Sequence, residues 1–158
     1  YIFRDFWRAD SGVMAGLQML ELTAELKARD QSLSEILQPI RNTYQQSGEI
    51  NFTLPADRSF QDTASRAVEK YADQAERIFV STAEGCKRVD SYPPADVELS
   101  VPDVRVEGDD WWFCMRPSGT EAREGVILRL YVEAVGDREL MESRRDELIE
   151  LVGPEYRM

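Results

Sequence analysis

The segment at residues 116–121, with the sequence RPSGTE, combines residue types that can bind an anion. Arg116 offers a planar fork of N–H donors that suits a phosphate group. Ser118 and Thr120 add hydroxyl donors, and Gly119 lets successive backbone N–H groups point at one anion. A simple turn between strands uses the same proline, serine and glycine, so these residues alone are consistent with either interpretation.

The overall charge argues against a nucleic-acid partner. The chain has 158 residues, of which 19 are basic and 30 acidic, giving a net charge of −11. Nucleic-acid binders usually carry a basic face, because neutralised phosphates supply much of their affinity. An anion must therefore be bound here by a local arrangement of arginines and backbone N–H groups.

Several absences narrow the function further. The sequence contains no histidine, which removes the commonest general acid–base residue and metal ligand. No apolar run approaches the roughly 20 residues needed to cross a bilayer, so no membrane partner is expected. Cys86 and Cys114 are too few for a disulfide framework and are expected to be buried or part-buried free thiols, which predicts a cytoplasmic protein.

Two helices are predicted in the first third of the chain. Asp10 or Ser11 caps the first, which runs to about Lys27. The sequence SLSE at residues 32–35 forms a capping box for the second, in which Pro39 predicts a kink or an early stop. The first helix has an apolar stripe that is expected to pack in a core, formed by Val13, Leu17, Leu20 and Ala24 and widened by Met14.

Strands and helices alternate in the remainder, which predicts an α+β domain with a sheet backed by helices. A polar break at residues 45–48 predicts a domain boundary near residue 45. The region 78–100 has no sustained periodicity and is expected to be a loop with at most one short strand. The expected strands are 49–54, 104–107, 111–115 and 127–134. One helix is expected after Asp57 or Ser59, and its buried face is formed by Ala64, Ala67, Val68 and Tyr71. A last helix is expected after Asp137.

Ordered motifs along the chain resemble those of the α-D-phosphohexomutases, the phosphomannomutase/phosphoglucomutase family. The RPSGTE segment is similar to the phosphate-binding loop of that family, whose usual form is RPSNTEP. The remaining matches, which together cover most of the chain, are FRD and RADSG at residues 3–12, LSE at 33–35, SGEINF at 47–52, WWF at 111–113, LRL at 128–130 and VEA at 132–134.

The resemblance implies a fold and a division into domains. Residues 1–45 correspond to the C-terminal end of the family's third, α/β domain. Residues 46–158 correspond to the fourth, phosphate-binding domain, with a mainly antiparallel four-stranded sheet and two helices, like the TATA-box-binding protein. The chain is therefore expected to be a C-terminal piece of a longer enzyme and to work together with that enzyme's other domains.

The resemblance also implies an activity. Enzymes of the family interconvert hexose 1-phosphates and 6-phosphates, such as those of mannose and glucose, using a phosphoserine of the first domain and Mg²⁺ held by aspartates of the second. The loop that carries the phosphoserine and the loop that binds Mg²⁺ are both outside this chain. The chain should therefore be inactive alone, with no catalytic residue and no bound metal. The loop that reads the sugar lies upstream of Tyr1, so mannose, glucose and an amino sugar all stay open.

The resemblance assigns the binding of the non-reacting phosphate to Arg116, Ser118, Gly119 and Thr120. Glu121, which orients Arg116 or caps a turn, and Arg123 are supporting candidates. Three departures from the family pattern keep a rival hypothesis open, that of a non-catalytic interaction domain that kept the fold and lost the site. They are Gly119 in place of Asn, Ala122 in place of Pro, and a longer loop through Arg123, Glu124 and Gly125.

The other charged and aromatic residues receive structural interpretations. Arg129 is expected to be solvated on the surface, and the charged residues 142–147 to form an exposed helix face. Trp111 and Trp112 should point to opposite faces of a strand, with one packed against a helix. Gly108 makes a hairpin turn a better interpretation than a metal site for the neighbouring acidic residues, Glu107, Asp109 and Asp110.

Overall fold

The computed structural model describes residues 11–118 and 126–158. The chain divides into two compact units, Tyr1–Thr43 and Tyr44–Met158. In chain order the elements are α1 (Gly12–Ala28), α2 (Leu33–Thr43), β1 (Tyr44–Gln46), β2 (Ile50–Leu54), α3 (Phe60–Lys70), β3 (Arg77–Thr82), β4 (Gly85–Val89), β5 (Val101–Glu107), β6 (Trp111–Pro117), β7 (Val126–Val135), α4 (Arg138–Val152) and a 3₁₀ turn (Pro154–Tyr156).

Both helices of the first unit begin at the predicted caps. Ser11 Oγ accepts from Met14 N at 3.2 Å. The capping box is complete, because Ser32 N donates to Glu35 Oε2 at 2.7 Å and Glu35 N donates to Ser32 Oγ at 3.3 Å. Helix α2 continues through Pro39 to its last residue, so the predicted early stop is wrong. The proline removes one backbone donor, and the helix tolerates that loss.

The apolar stripe of α1 is exposed rather than buried. Val13, Leu17 and Leu20 are 75%, 56% and 68% exposed, so the expected core packing is wrong for these side chains. The one buried residue of α1 is Leu26. Helical periodicity identifies an apolar face but does not determine what covers that face. No part of residues 11–43 covers the apolar face of α1.

The second unit is built on one antiparallel sheet. Its strand order is β1-β7-β6-β5-β3-β4, and β2 also pairs with β7, next to β1 along the same edge. The predicted α+β class with an antiparallel sheet and two helices is confirmed. The sheet has seven strands rather than four, because β1 is added at one edge and the β3–β4 hairpin at the other.

The hairpin lies where a loop was predicted. Strand β3 buries Ile78 and Val80, but the first four residues of β4 are exposed and only Val89 is buried. An edge strand with little buried surface lacks the apolar alternation by which strands are recognised in a sequence. This physical difference explains why the region 78–100 resembled a loop.

Helices α3 and α4 cover one face of the sheet and close the core. Both begin at predicted caps, Ser59 and Asp137. Alternating residues of the central strands point to this face, and the ring of Tyr71 makes tilted contacts with two of them, Trp111 and Phe113. The largest fully buried side chains are Tyr71, Phe52, Phe113, Leu54, Met115, Leu128, Leu130 and Leu148.

Helix α4 is less solvated than its charges predict. The guanidinium of Arg144 lies 5.1 Å from the ring centroid of Tyr71 and 5.0 Å from that of Trp111, so its charged end packs on the core. Two ion pairs lie along the helix, Arg138–Glu142 at spacing i,i+4 and Arg144–Glu147 at spacing i,i+3. Across residues 11–118 and 126–158, no helix is long and apolar enough to span a bilayer.

Candidate anion-binding site

The face of the sheet opposite the helices carries the candidate site. Strand β6 alternates, so that Trp111, Phe113 and Met115 enter the core while Trp112 and Arg116 point to the open face. This confirms the prediction that the two tryptophans lie on opposite faces. Arg116 is therefore placed at the end of β6, on the open face, where the chain leaves the sheet toward the segment 118–125.

Arg129 stands beside Arg116. The register of β6 and β7 makes Arg116 and Arg129 direct cross-strand partners. Arg129 Nη2 donates to Ser118 Oγ at 3.1 Å, and Ser118 N donates to Ile127 O at 2.8 Å. The expectation that Arg129 is merely solvated on the surface is wrong, because its neighbours on paired strands bring it into the site.

A third charged residue, Glu49, contacts both arginines. Glu49 Oε2 accepts a charge-assisted hydrogen bond from Arg116 Nη2 at 3.2 Å, and Glu49 Oε1 lies 3.6 Å from Arg129 Nη1. Sequence reasoning missed Glu49. Its polar position immediately before Ile50, in an alternating strand, places it on the open face, but only the pairing of β2 with β7 brings it to the arginines.

The electrostatics of this cluster favour an anion. Like charges at directly opposed positions of a sheet destabilise each other. Glu49 neutralises one of the two positive charges of Arg116 and Arg129, so the three side chains keep a net charge of about +1. The Nε donor of Arg129 has no hydrogen-bond acceptor among the described residues, but it is buried and out of reach of a ligand. The cluster thus keeps a net positive charge that can attract an anion.

The arginines open onto a shallow depression of about 510 Å³ on the same face. Trp112 forms part of its wall and is held from three directions. Arg105 lies 4.2 Å from the ring centroid, Tyr131 stacks at 5.2 Å, and Trp112 Nε1 donates to Glu133 Oε1 at 2.9 Å. A phosphate on the arginine pair therefore has room for an attached group alongside an ordered aromatic wall.

The cysteines differ from each other. Cys114 lines the depression and is part-buried, as predicted, whereas Cys86 is exposed on β4, which corrects the prediction that it would be buried or part-buried. Burial, with a smaller contribution from the negative charge of Asp103, raises the pKa of the Cys114 thiol to about 11. Cys114 is thus a neutral packing residue at physiological pH.

The predicted site is only partly within the described residues. Arg129 links two of the predicted residues, since it is the cross-strand partner of Arg116 and donates to Ser118. Gly119, Thr120, Glu121 and Arg123 fall outside the described residues.

The acidic turn between β5 and β6 has structural partners. Glu107 pairs with Arg77 at 3.1 Å and with Arg105 at 2.8 Å. Gly108 N donates to Trp111 O at 2.8 Å and closes the hairpin. Within the described ranges 11–118 and 126–158, no group of three or more acidic or cysteine side chains could hold a metal ion.

The sequence of this chain is similar to known proteins over most of its length. The family model for the phosphoglucomutase/phosphomannomutase C-terminal domain matches residues 49–151. The chain is 32% identical over 152 residues to a phosphomannomutase of Salmonella montevideo and 30% identical over 152 residues to one of Escherichia coli K12. It is 28% identical over 153 residues to a Xanthomonas campestris protein described as phosphohexose mutases. Each match covers 96% of this chain and 27% of the relative, so the chain spans about a quarter of these relatives' length.

Proposed function

Since the chain belongs to the phosphoglucomutase/phosphomannomutase family, with its C-terminal domain at residues 49–151, we propose that it binds the non-reacting phosphate of a hexose phosphate. The observation that carries the proposal is the side-by-side placement of Arg116 and Arg129 where β6 and β7 meet the RPSGTE segment. Guanidinium groups present paired donors that match phosphate oxygens. We assign the direct contacts to Arg116, Ser118, Gly119 and Thr120, with Arg129 as an additional candidate and Glu121 and Arg123 in support.

The proposed work of this domain is positioning. A phosphate held on the arginine pair is neutralised and fixes the orientation of the sugar attached to it. The family relationship supports, for the longer protein, interconversion of a hexose 1-phosphate and 6-phosphate, such as those of mannose or glucose. In that protein a phosphoserine loop and an Mg²⁺ site, supplied by other domains, would provide the phosphoryl-transfer chemistry, so we expect this chain to be inactive alone.

Two further assignments rest on the same relationship. We propose that residues 1–45 are the end of the third, α/β domain and that residues 46–158 are the fourth. The break between the compact units at Thr43 and Tyr44 lies close to this division, and the exposed stripe of α1 is the kind of surface that another domain covers. We also propose a cytoplasmic location, in keeping with the free thiols of Cys86 and Cys114.

An amide NMR titration of the 158-residue chain tests the phosphate site. Inorganic phosphate and glucose 1-phosphate should each produce saturable shifts at Ser118 and its neighbours, with a dissociation constant on the order of millimolar, or about −4 kcal/mol. Arg116→Ala should weaken binding by at least about tenfold, because a charge-assisted contact contributes about 1.5–3 kcal/mol.

The matched control is Arg138→Ala, which removes an equally charged but exposed side chain from α4. It should leave the titration unchanged. Equal binding by the wild type and Arg116→Ala would exclude Arg116 from the site. The absence of any saturable shift at high phosphate would favour the rival hypothesis of a domain that kept the fold and lost the site.

A further inference from the structure

Glu49 occupies the donors that a phosphate would use. Its carboxylate contacts Arg116 Nη2 at 3.2 Å and Arg129 Nη1 at 3.6 Å, so one oxygen faces each guanidinium. A phosphate bridging the same two arginines needs its oxygens in the same positions. Glu49 is thus an internal anion in the place expected for the ligand.

The backbone before β2 sets this contact. Ser47 N donates to Val132 O at 2.9 Å, and Val132 N donates to Ser47 Oγ at 2.9 Å. Gly48 follows with φ +71°, a conformation that favours glycine, and turns the chain into β2. These contacts fix the backbone on which Glu49 is mounted, so its approach to the arginines is built into the sheet edge.

The contact is strong enough to form and weak enough to be replaced. The side chain of Glu49 is 42% exposed and that of Arg116 is 53% exposed, so water and salt screen their attraction. A phosphate dianion carries twice the charge of a carboxylate and therefore gains more from the same two guanidinium groups. While Glu49 stays nearby, its negative charge opposes phosphate binding.

We propose that phosphate binds by exchange, with Glu49 as a resident competitor that occupies the Arg116–Arg129 pair and is displaced by the ligand. This inference rests on the proposed phosphate site and assigns a regulatory role to a residue outside the RPSGTE segment. The consequence is a moderate affinity of the arginine pair for phosphate, because the Glu49 carboxylate replaces each phosphate that leaves. The exchange favours release of the bound phosphate over tight retention.

Titration of the Glu49→Gln variant with inorganic phosphate at low ionic strength tests the exchange. The variant keeps the side-chain shape but removes the charge, so its dissociation constant should fall by about three- to tenfold. Glu142→Gln is the matched control, because Glu142 is another carboxylate paired with an arginine, Arg138, but on α4. The control should bind phosphate as the wild type does.

The outcomes separate this inference from the proposed function. Unchanged or weaker binding by Glu49→Gln, together with binding weakened at least about tenfold in Arg116→Ala, would overturn the exchange and leave the phosphate site standing. Binding that is as tight in Arg116→Ala as in the wild type, or that is absent from both the wild type and Glu49→Gln, would overturn the site and the exchange together. An unchanged amide spectrum outside the site in each variant establishes that the fold is intact.

Discussion

Two arginines on the open sheet face show how a side chain's neighbours decide whether it can bind a ligand. Arg105 lies over the Trp112 ring and pairs with Glu107 at 2.8 Å, so its position is fixed by structural contacts. Arg116 is paired with Glu49, at a half-exposed position that water and a ligand can reach. The same residue type therefore has a structural role on β5 and a proposed binding role on β6.

The two cysteines should differ in reactivity. With its pKa raised to about 11 by burial, Cys114 is ionised to about one part in a thousand near pH 8, whereas Cys86 is exposed. Iodoacetamide should therefore alkylate Cys86 first in the folded protein, as measured by peptide mass spectrometry. Denatured protein is the control, in which both thiols should react at similar rates. Faster labelling of Cys114 in the folded state would contradict the burial that the structure shows.

At the residue scale, the sequence indicates which side chains could bind an anion but not which side chains lie beside them in the folded protein. The RPSGTE pattern makes Arg116 and Ser118 candidates for an anion site, since their donors suit an anion, but a simple turn uses the same residue types. Arg129 and Glu49 reach the same place only through the pairing of β7 with β6 and β2. Such pairings join segments that are distant in the chain, and no local pattern specifies which strands will be adjacent.

At the scale of helices and strands, the predictions succeed where periodicity is strong. Strands β2, β6 and β7 alternate cleanly, and all three were expected near their observed bounds. The β3–β4 hairpin was missed because β4 is an exposed edge strand that buries only Val89. Apolar residues alternate along a strand when one of its faces is buried, so a strand that buries few side chains shows no such pattern in the sequence.

A part-buried hydrogen bond joins α4 to the end of α3. The fully buried Tyr71, at the end of α3, donates from its hydroxyl to Glu147 Oε2 at 2.8 Å. Glu147→Ala should lower the free energy of unfolding by about 1–3 kcal/mol, because the phenol loses its acceptor. Urea denaturation measures the change. Glu150→Ala, on the exposed side of the same helix, is the matched control and should change stability by less than about 0.5 kcal/mol.

The same contact should depend on pH. Burial raises the pKa of Glu147, but hydrogen bonds from Tyr71 and Ser143 and the charges of Arg144 and Lys70 outweigh it, so the pKa lies below its ordinary value. A carboxyl group with a lowered pKa stabilises the fold above its unfolded-state pKa and loses that contribution as the pH falls through the folded-state value. The stability difference between wild type and Glu147→Ala should therefore shrink in acid. A difference that stays constant down to strongly acidic pH would show that the charge of Glu147 has no part in it.

At the scale of the whole molecule, the core and the candidate site belong to the second unit alone. Every member of the main hydrophobic cluster lies between Ile50 and Val152, and Glu49, Arg116 and Arg129 lie in the same unit. The first unit instead exposes the apolar stripe of α1. The chain as a whole carries a net charge of −11, so the attraction of the arginine pair for an anion must act at short range, within about one Debye length.

Because the second unit contains the whole cluster, residues 44–158 should fold without the first 43 residues. We expect one cooperative thermal transition, followed by circular dichroism, within a few degrees of that of the 158-residue chain, and the same phosphate titration. Residues 55–158 provide the control, because they lack β1 and β2 and with them Phe52 and Leu54, which are both fully buried. Removing large core side chains costs about 2–5 kcal/mol each, enough to unfold a domain of ordinary stability. If residues 44–158 fail to fold while the full chain folds, the first unit supports the sheet, and the division at Tyr44 is not a boundary of stability.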